Sequence, residues 1–221
     1  MDNMERYIPF TPGEFYHVYN RGVDKNKIFF TENDQRYFQR LLYLRNNTDG
    51  HLRPERCKNK ALLEIVIEKP LVNIQAYALM PNHFHLLLSE IEPGGITTYM
   101  RRLLTSYSMY MNKKYDRSGP LMCRPFRARQ VDSDEYLRWL ISYVHLNPID
   151  LVESEWKERG IADIEQAQTF LREYPYSSYC DYYVTDRDET SIIEKESLPF
   201  FISDLEQVGS MFATYQQPLL V

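Results

Sequence analysis

From Glu14 to Asn20 the chain alternates and is rich in β-formers (Glu-Phe-Tyr-His-Val-Tyr-Asn), the two-residue period of a strand. Arg21 to Asp24 is turn-like. From Thr31 to Leu44 the period changes. Thr31 caps, Glu32 and Asp34 sit in the first turn, and Phe38, Leu41, Leu42 and Leu44 form an apolar helical stripe. Residues 46–60 are polar and predict a loop or insertion. Leu62 to Ile67 predicts a short strand. Val72 to Leu79 predicts a longer one, joined through the tight turn Met80-Pro81-Asn82 to a hairpin partner at His83–Ser89.

Pro93-Gly94-Gly95 breaks the chain. A long helix follows over Ile96–Tyr115, with Met100, Leu103, Leu104, Tyr107, Tyr110 and Met111 on one side. Leu121 to Val131 mixes basic and apolar residues and is expected to be extended. Asp132 and Glu135 form a capping pair for a helix running to about Asn147, where Pro148 stops it. A helix at Asp163–Glu173, an aromatic cluster at Tyr174–Tyr183 and an acidic tail complete the chain. The order strand–helix–strand–strand–helix predicts a two-layer α+β domain, an antiparallel sheet with helices on one face. The domain is set at residues 1–183 and an acidic C-terminal extension at 184–221.

Composition narrows the class. Of 221 residues 43% are hydrophobic, which is globular and not disordered. No apolar run approaches the roughly 18 residues that cross a bilayer, so no membrane partner is expected. Cys57, Cys123 and Cys180 are widely separated and form no disulfide framework, which fits a reducing cytoplasm. The net charge of −5 argues against nucleic acid until it is divided along the chain. Residues 1–98 balance to zero, residues 99–147 carry +5, and residues 148–221 carry −10. The middle segment is a candidate phosphate-binding surface, with a solvated basic face as the plainer alternative.

The chemistry starts at His83-Phe84-His85. Side chains alternate across a strand, so both imidazoles face the same side, a half-site for a divalent metal. By itself a His-x-His pair is a modest signal. It strengthens beside Tyr143-Val144-His145-Leu146-Asn147-Pro148, where Tyr143 and Asn147 are four apart and share a helix face. His145 points elsewhere and is assigned to structure or surface. His17 is assigned to packing or DNA contact, and His51 to a solvent-exposed loop. Two imidazoles, a phenol and an amide make a kit for cutting a phosphodiester. A metal on His83 and His85 would polarise a phosphate oxygen, and Tyr143 would attack phosphorus to form a covalent phosphotyrosine. Asn147 is either a third ligand or an orienting group. An oxygen ligand is expected, because two imidazoles alone suit zinc or copper better than magnesium or manganese.

Five stretches together resemble the single-tyrosine HUH transposases, and within them the REP-associated tyrosine transposases. These are Tyr16-His17-Val18-Tyr19-Asn20-Arg21-Gly22, Ala78 to Leu87, Tyr110 to Tyr115, Tyr143 to Pro148, and Tyr176-Ser177-Ser178-Tyr179. The resemblance implies a ferredoxin-like fold, a metal (Mg2+ or Mn2+) held by His83 and His85, the nucleophile Tyr143 and the assisting Asn147. It also implies binding of single-stranded DNA and DNA hairpins, cleavage to a 5′-phosphotyrosine with a free 3′-OH, and a monomer or a homodimer. The run Gly119 to Arg129 departs from the family's Gly-aromatic-basic pattern, and the acidic tail lies outside the resemblance.

Phosphate contacts are expected from Arg21, Arg101, Arg102, Lys113, Lys114, Arg127 and Arg129. Tyr107, Tyr110 and Phe126 are candidates for base stacking, although helical spacing favours a core role for the two tyrosines. The expected activity is that of a metal-dependent single-strand DNA transposase. The alternatives are a non-catalytic hairpin-binding protein of the same fold and an unrelated zinc hydrolase.

Overall fold

The computed structural model describes residues 9–50, 52–199 and Phe212. His51 and most of the acidic tail beyond residue 199 therefore lie outside the described residues. The frame is a four-stranded antiparallel sheet, β1 (Phe15–Arg21), β2 (Val72–Met80), β3 (His83–Glu90) and β4 (Arg127–Gln130), in the spatial order β2-β3-β1-β4. β2 and β3 form the expected hairpin across Pro81-Asn82.

The two sheet faces differ. Tyr16 and Val18 of β1, Tyr77 and Leu79 of β2, and Phe84, Leu86 and Leu88 of β3 bury one face. They pack against α1 (Glu32–Leu44) through Phe38, Leu41 and Leu42 and, beyond the short α2 (Pro54–Cys57), against α3 (Gly95–Lys114) through Tyr99, Met100, Leu103 and Tyr107. These are the helices expected on one face. A further layer covers part of the other face. There α4 (Asp134–Leu146) sets Leu137, Leu140, Ile141 and Val144 on Ala76, Ala78 and Leu87. The small alanines of β2 let this helix come close.

Local chemistry explains the element ends. Asp34, the third residue of α1, accepts the Thr31 backbone N–H at 2.9 Å, closing a capping box. Its buried carboxylate also accepts from Lys114 (2.6 Å), Tyr115 (2.7 Å) and Tyr110 (3.0 Å). Burial alone would raise its pKa, but these bonds outweigh it and hold it near 2. For α4 the expected cap is corrected. Ser133, not the Asp132–Glu135 pair, caps the helix, accepting from the Tyr136 N–H at 3.2 Å. The expected strand at Leu62–Ile67 is also corrected to a 3-10 turn at Leu62–Glu64. Leu63 and Val66 there are largely exposed, so no sheet face is available to bury an alternating pattern. Gly22 ends β1 where a Cβ would meet the Asn26 carbonyl oxygen at 2.0 Å, so only glycine fits.

After α4 a 3-10 turn (Asn147–Leu151) continues the helix, followed by α5 (Trp156–Arg159), α6 (Ile164–Glu173) and α7 (Tyr179–Tyr183). Residues 176–178 run along the free edge of β2, with Leu79 N–H donating to the Tyr176 carbonyl and Ser178 N–H to the Tyr77 carbonyl, both at 2.9 Å. This covers a strand edge that would otherwise be open to pairing. The segment after Tyr183 also docks. Arg187 pairs with the buried Asp181 at 2.7 Å, Ile192 enters the main core, and Glu194 N–H donates to the Ile74 carbonyl.

Candidate active site

Strand register decides which side chains meet. In antiparallel pairs, residues directly opposite share a face. Arg21 lies opposite His83, Tyr19 opposite His85 and His17 opposite Leu87. On the other side of β1, Tyr19 faces Arg127 and His17 faces Arg129. One sheet face thus carries His83, His85, His17, Tyr19 and three exposed arginines. This is the face on which α4 packs, so Tyr143 arrives over the histidines. The Tyr143 ring centroid is 5.3 Å from His85 and 6.0 Å from His17, edge-on to both. Asn147, fully buried, places Oδ1 3.4 Å from His83 Nε2.

A hydrogen bond to Asn82 sets the His83 tautomer. Asn82 Nδ2 donates to the Lys25 carbonyl, which orients the amide so that Asn82 Oδ1 accepts the His83 Nδ1 proton at 2.6 Å. His83 Nε2 therefore carries a lone pair, and it faces the lone pairs of Asn147 Oδ1. Asn147 Nδ2 is buried with no hydrogen-bond partner among the described residues. Two facing acceptors are an arrangement that a shared cation satisfies. His85 Nδ1 pairs with His17 Nε2 at 2.8 Å, leaving His85 Nε2 as its other donor atom.

Burial lowers the pKa of His83, and Lys157 adds to this, while the Asn147 bond opposes it. Burial also lowers His85 well below its usual value, aided by His17, His83 and Lys157. Neutral imidazoles are what a metal needs. No cluster of three His, Cys, Asp or Glu side chains with metal-binding geometry occurs among the described residues. The donor set is instead two imidazoles and one amide oxygen. Two neutral imidazoles beside an amide oxygen are a set that fits a divalent cation.

An open cleft of about 740 Å³ borders the site, lined by His17, Tyr19, His85, Arg129, Tyr136, Trp139 and Tyr143 among others. Along α4 three rings stack: Tyr136 on Trp139 (5.7 Å between centroids) and Trp139 on Tyr143 (5.0 Å). The Arg129 guanidinium caps the Tyr136 end at 4.7 Å, and the Lys157 ammonium lies 5.5 Å above the Tyr143 ring.

The expected basic residues divide. Arg129 lines this cleft, and Arg21 and Arg127 line an adjoining hollow that shares Tyr19. Lys114 is engaged by Asp34, and Arg102 donates to the Asn47 and Thr48 carbonyls. Arg101 and Arg102 border a separate depression beside Arg45, and Lys113 is exposed at the end of α3. Tyr107 is core, donating to the Ile28 carbonyl at 2.7 Å, Tyr110 stacks on Tyr37, and Phe126 packs against the main core. His145 is fully buried against Ser178, as assigned. The sequence leaves His17 at packing or DNA contact and singles out neither Lys157 nor Trp139. Trp139 was legible four residues before Tyr143 on the same helix face, whereas His17 needed the strand order and Lys157 had no local signal.

A family model described as Transposase IS200 like matches residues 16–147, which includes all four residues of the constellation. Among solved structures, that of a REP-associated tyrosine transposase bound to a REP hairpin is similar in fold. Its TM-score is 0.51 at 12% identity, covering 85% of this chain and 95% of that one. No curated protein matches the chain. Family membership implies dependence on a divalent metal, and with a match over more than half of its length the chain belongs to the IS200-like, single-tyrosine HUH transposases.

Proposed function

We propose that this chain is a metal-dependent endonuclease and strand transferase acting on single-stranded DNA beside hairpins. The observation that carries this reading is the convergence of His83 and His85 from β3 with Tyr143 from α4 and Asn147 from the turn that prolongs it. The hairpin partner follows from the family and from the hairpin held by the structurally similar transposase.

Tyr143 Oη attacks phosphorus. The Oη–P bond forms and the P–O3′ bond breaks, its electron pair leaving with O3′. The phenolic proton passes to water in the open cleft, and O3′ takes up a proton to become the free 3′-OH. The product is a 5′-phosphotyrosine, which keeps the phosphodiester energy for rejoining. A divalent metal bound by His83 Nε2, His85 Nε2 and Asn147 Oδ1 would supply Lewis acidity toward a non-bridging phosphate oxygen. Trp139, stacked on Tyr143, restrains the ring, so the phenol is held for attack. Arg21, Arg127 and Arg129 carry the approaching strand by its phosphates.

The test is incubation of the chain with a labelled hairpin library bearing single-stranded flanks, with manganese or magnesium, on a denaturing gel. A metal-dependent protein–DNA band that disappears in Tyr143→Phe supports the reading. DNA retention with no adduct under any metal would leave a non-catalytic hairpin-binding protein.

A further inference from the structure

The cation beside the nucleophile comes from outside α4. Lys157, on α5, sets Nζ 5.5 Å from the Tyr143 ring centroid. Nζ also lies 5.4 Å from the Trp156 ring centroid, so it sits between the two rings.

The lysine is held there by a short relay. Trp156, fully buried, donates Nε1–H to Asp150 Oδ1 at 2.6 Å, and Asp150 Oδ2 takes Lys157 Nζ at 2.5 Å. Asp150 itself sits three residues after Asn147, in the turn that prolongs α4. Of the three Nζ donors one is used by Asp150, and no other acceptor takes the rest among the described residues. The side chain keeps 31% of its surface exposed.

We propose that Lys157 is a further catalytic residue, its ammonium contacting a non-bridging oxygen of the phosphate that Tyr143 attacks. This rests on the endonuclease reading above. Charge on those oxygens grows as the attacking bond forms, and a positioned cation stabilises it most at that point. Asp150 and Trp156 are positioning residues that keep Nζ at the site before DNA arrives.

Two measurements on the full chain test this. In the Tyr143→Phe background, binding of the flanked hairpin library is followed against salt, comparing Lys157 with Lys157→Met. One lost phosphate contact lowers the slope of log K against log salt by about 0.7 to 0.9. With Tyr143 present, Lys157→Met is expected to slow single-turnover adduct formation by roughly 10²-fold, with Lys157→Arg recovering part of the loss. An unchanged slope, or an adduct rate within about twofold of the parent, overturns the proposal. If the slope falls but the parent chain makes no adduct with any metal, Lys157 still touches phosphate and the endonuclease reading is what fails. If neither protein binds the DNA, both fall.

Discussion

His17 Nε2 lies 2.8 Å from His85 Nδ1, across neighbouring strands. When His85 turns the lone pair of Nε2 outward, its Nδ1–H donates to His17. The third imidazole then fixes the tautomer and ring plane of His85, the proposed metal ligand.

His17→Ala is expected to weaken manganese affinity by about 10- to 100-fold, the usual effect of losing an outer partner of a histidine ligand. Titration calorimetry of the metal-free chain with Mn2+ measures it. His17→Gln, which can still accept that proton, should lose less. Unchanged affinity in His17→Ala would remove the orienting role.

Trp139→Ala takes away the ring stacked on Tyr143 and frees the nucleophile to rotate. Adduct formation should slow by about 10-fold, since small misplacements of a reacting group are costly. DNA binding measured in parallel should change much less, and Trp139→Phe should retain most of the rate.

Stability should fall on mild acidification. Burial, helped by Lys195, lowers His145 to about 3, and burial and Arg129 lower His17 to about 4. Between these values and the ordinary 6.5 the unfolded chain binds protons that the folded chain does not. Stability is therefore complete above about pH 7 and is lost as pH falls toward 4. At pH 5 the fully buried His145 alone accounts for about 2 kcal/mol. Urea unfolding at pH 7.5 and pH 5 measures the difference. Equal midpoints would show that these histidines protonate freely in the folded chain.

The chain after Tyr183 is expected to be needed for stability. Arg187 bonds to Asp181, whose side chain is fully buried, and to the Ser177 carbonyl and Tyr77 hydroxyl. Removing one partner of such a pair leaves the other charge stranded, at about 3–5 kcal/mol. Arg187→Ala and a chain ending at Tyr183 should both melt well below the parent. A parent-like melting curve for the shorter chain would mark the domain edge at Tyr183.

What the sequence determined by itself was local and periodic. A two-residue period put His83 and His85 on one side of a strand, and a four-residue spacing put Tyr143 and Asn147 on one side of a helix. The Asn-containing turn, the long helix after Gly94-Gly95 and the helix stopped at Pro148 followed from the same rules. Periodicity names a face but not the neighbour that covers it. That β1 lies beside β3, bringing His17 to His85, was decided by the strand order β2-β3-β1-β4. That α4 lands on the histidine face was decided by a match between its apolar stripe and the small alanines of β2. Tertiary structure also separated cations that composition treats alike. Lys114 is held by Asp34, while Lys157, from the acidic part of the chain, is delivered to Tyr143 through Trp156 and Asp150. Such assignments depend on which distant groups come within bonding distance once the core has closed, and no short window of sequence contains both partners.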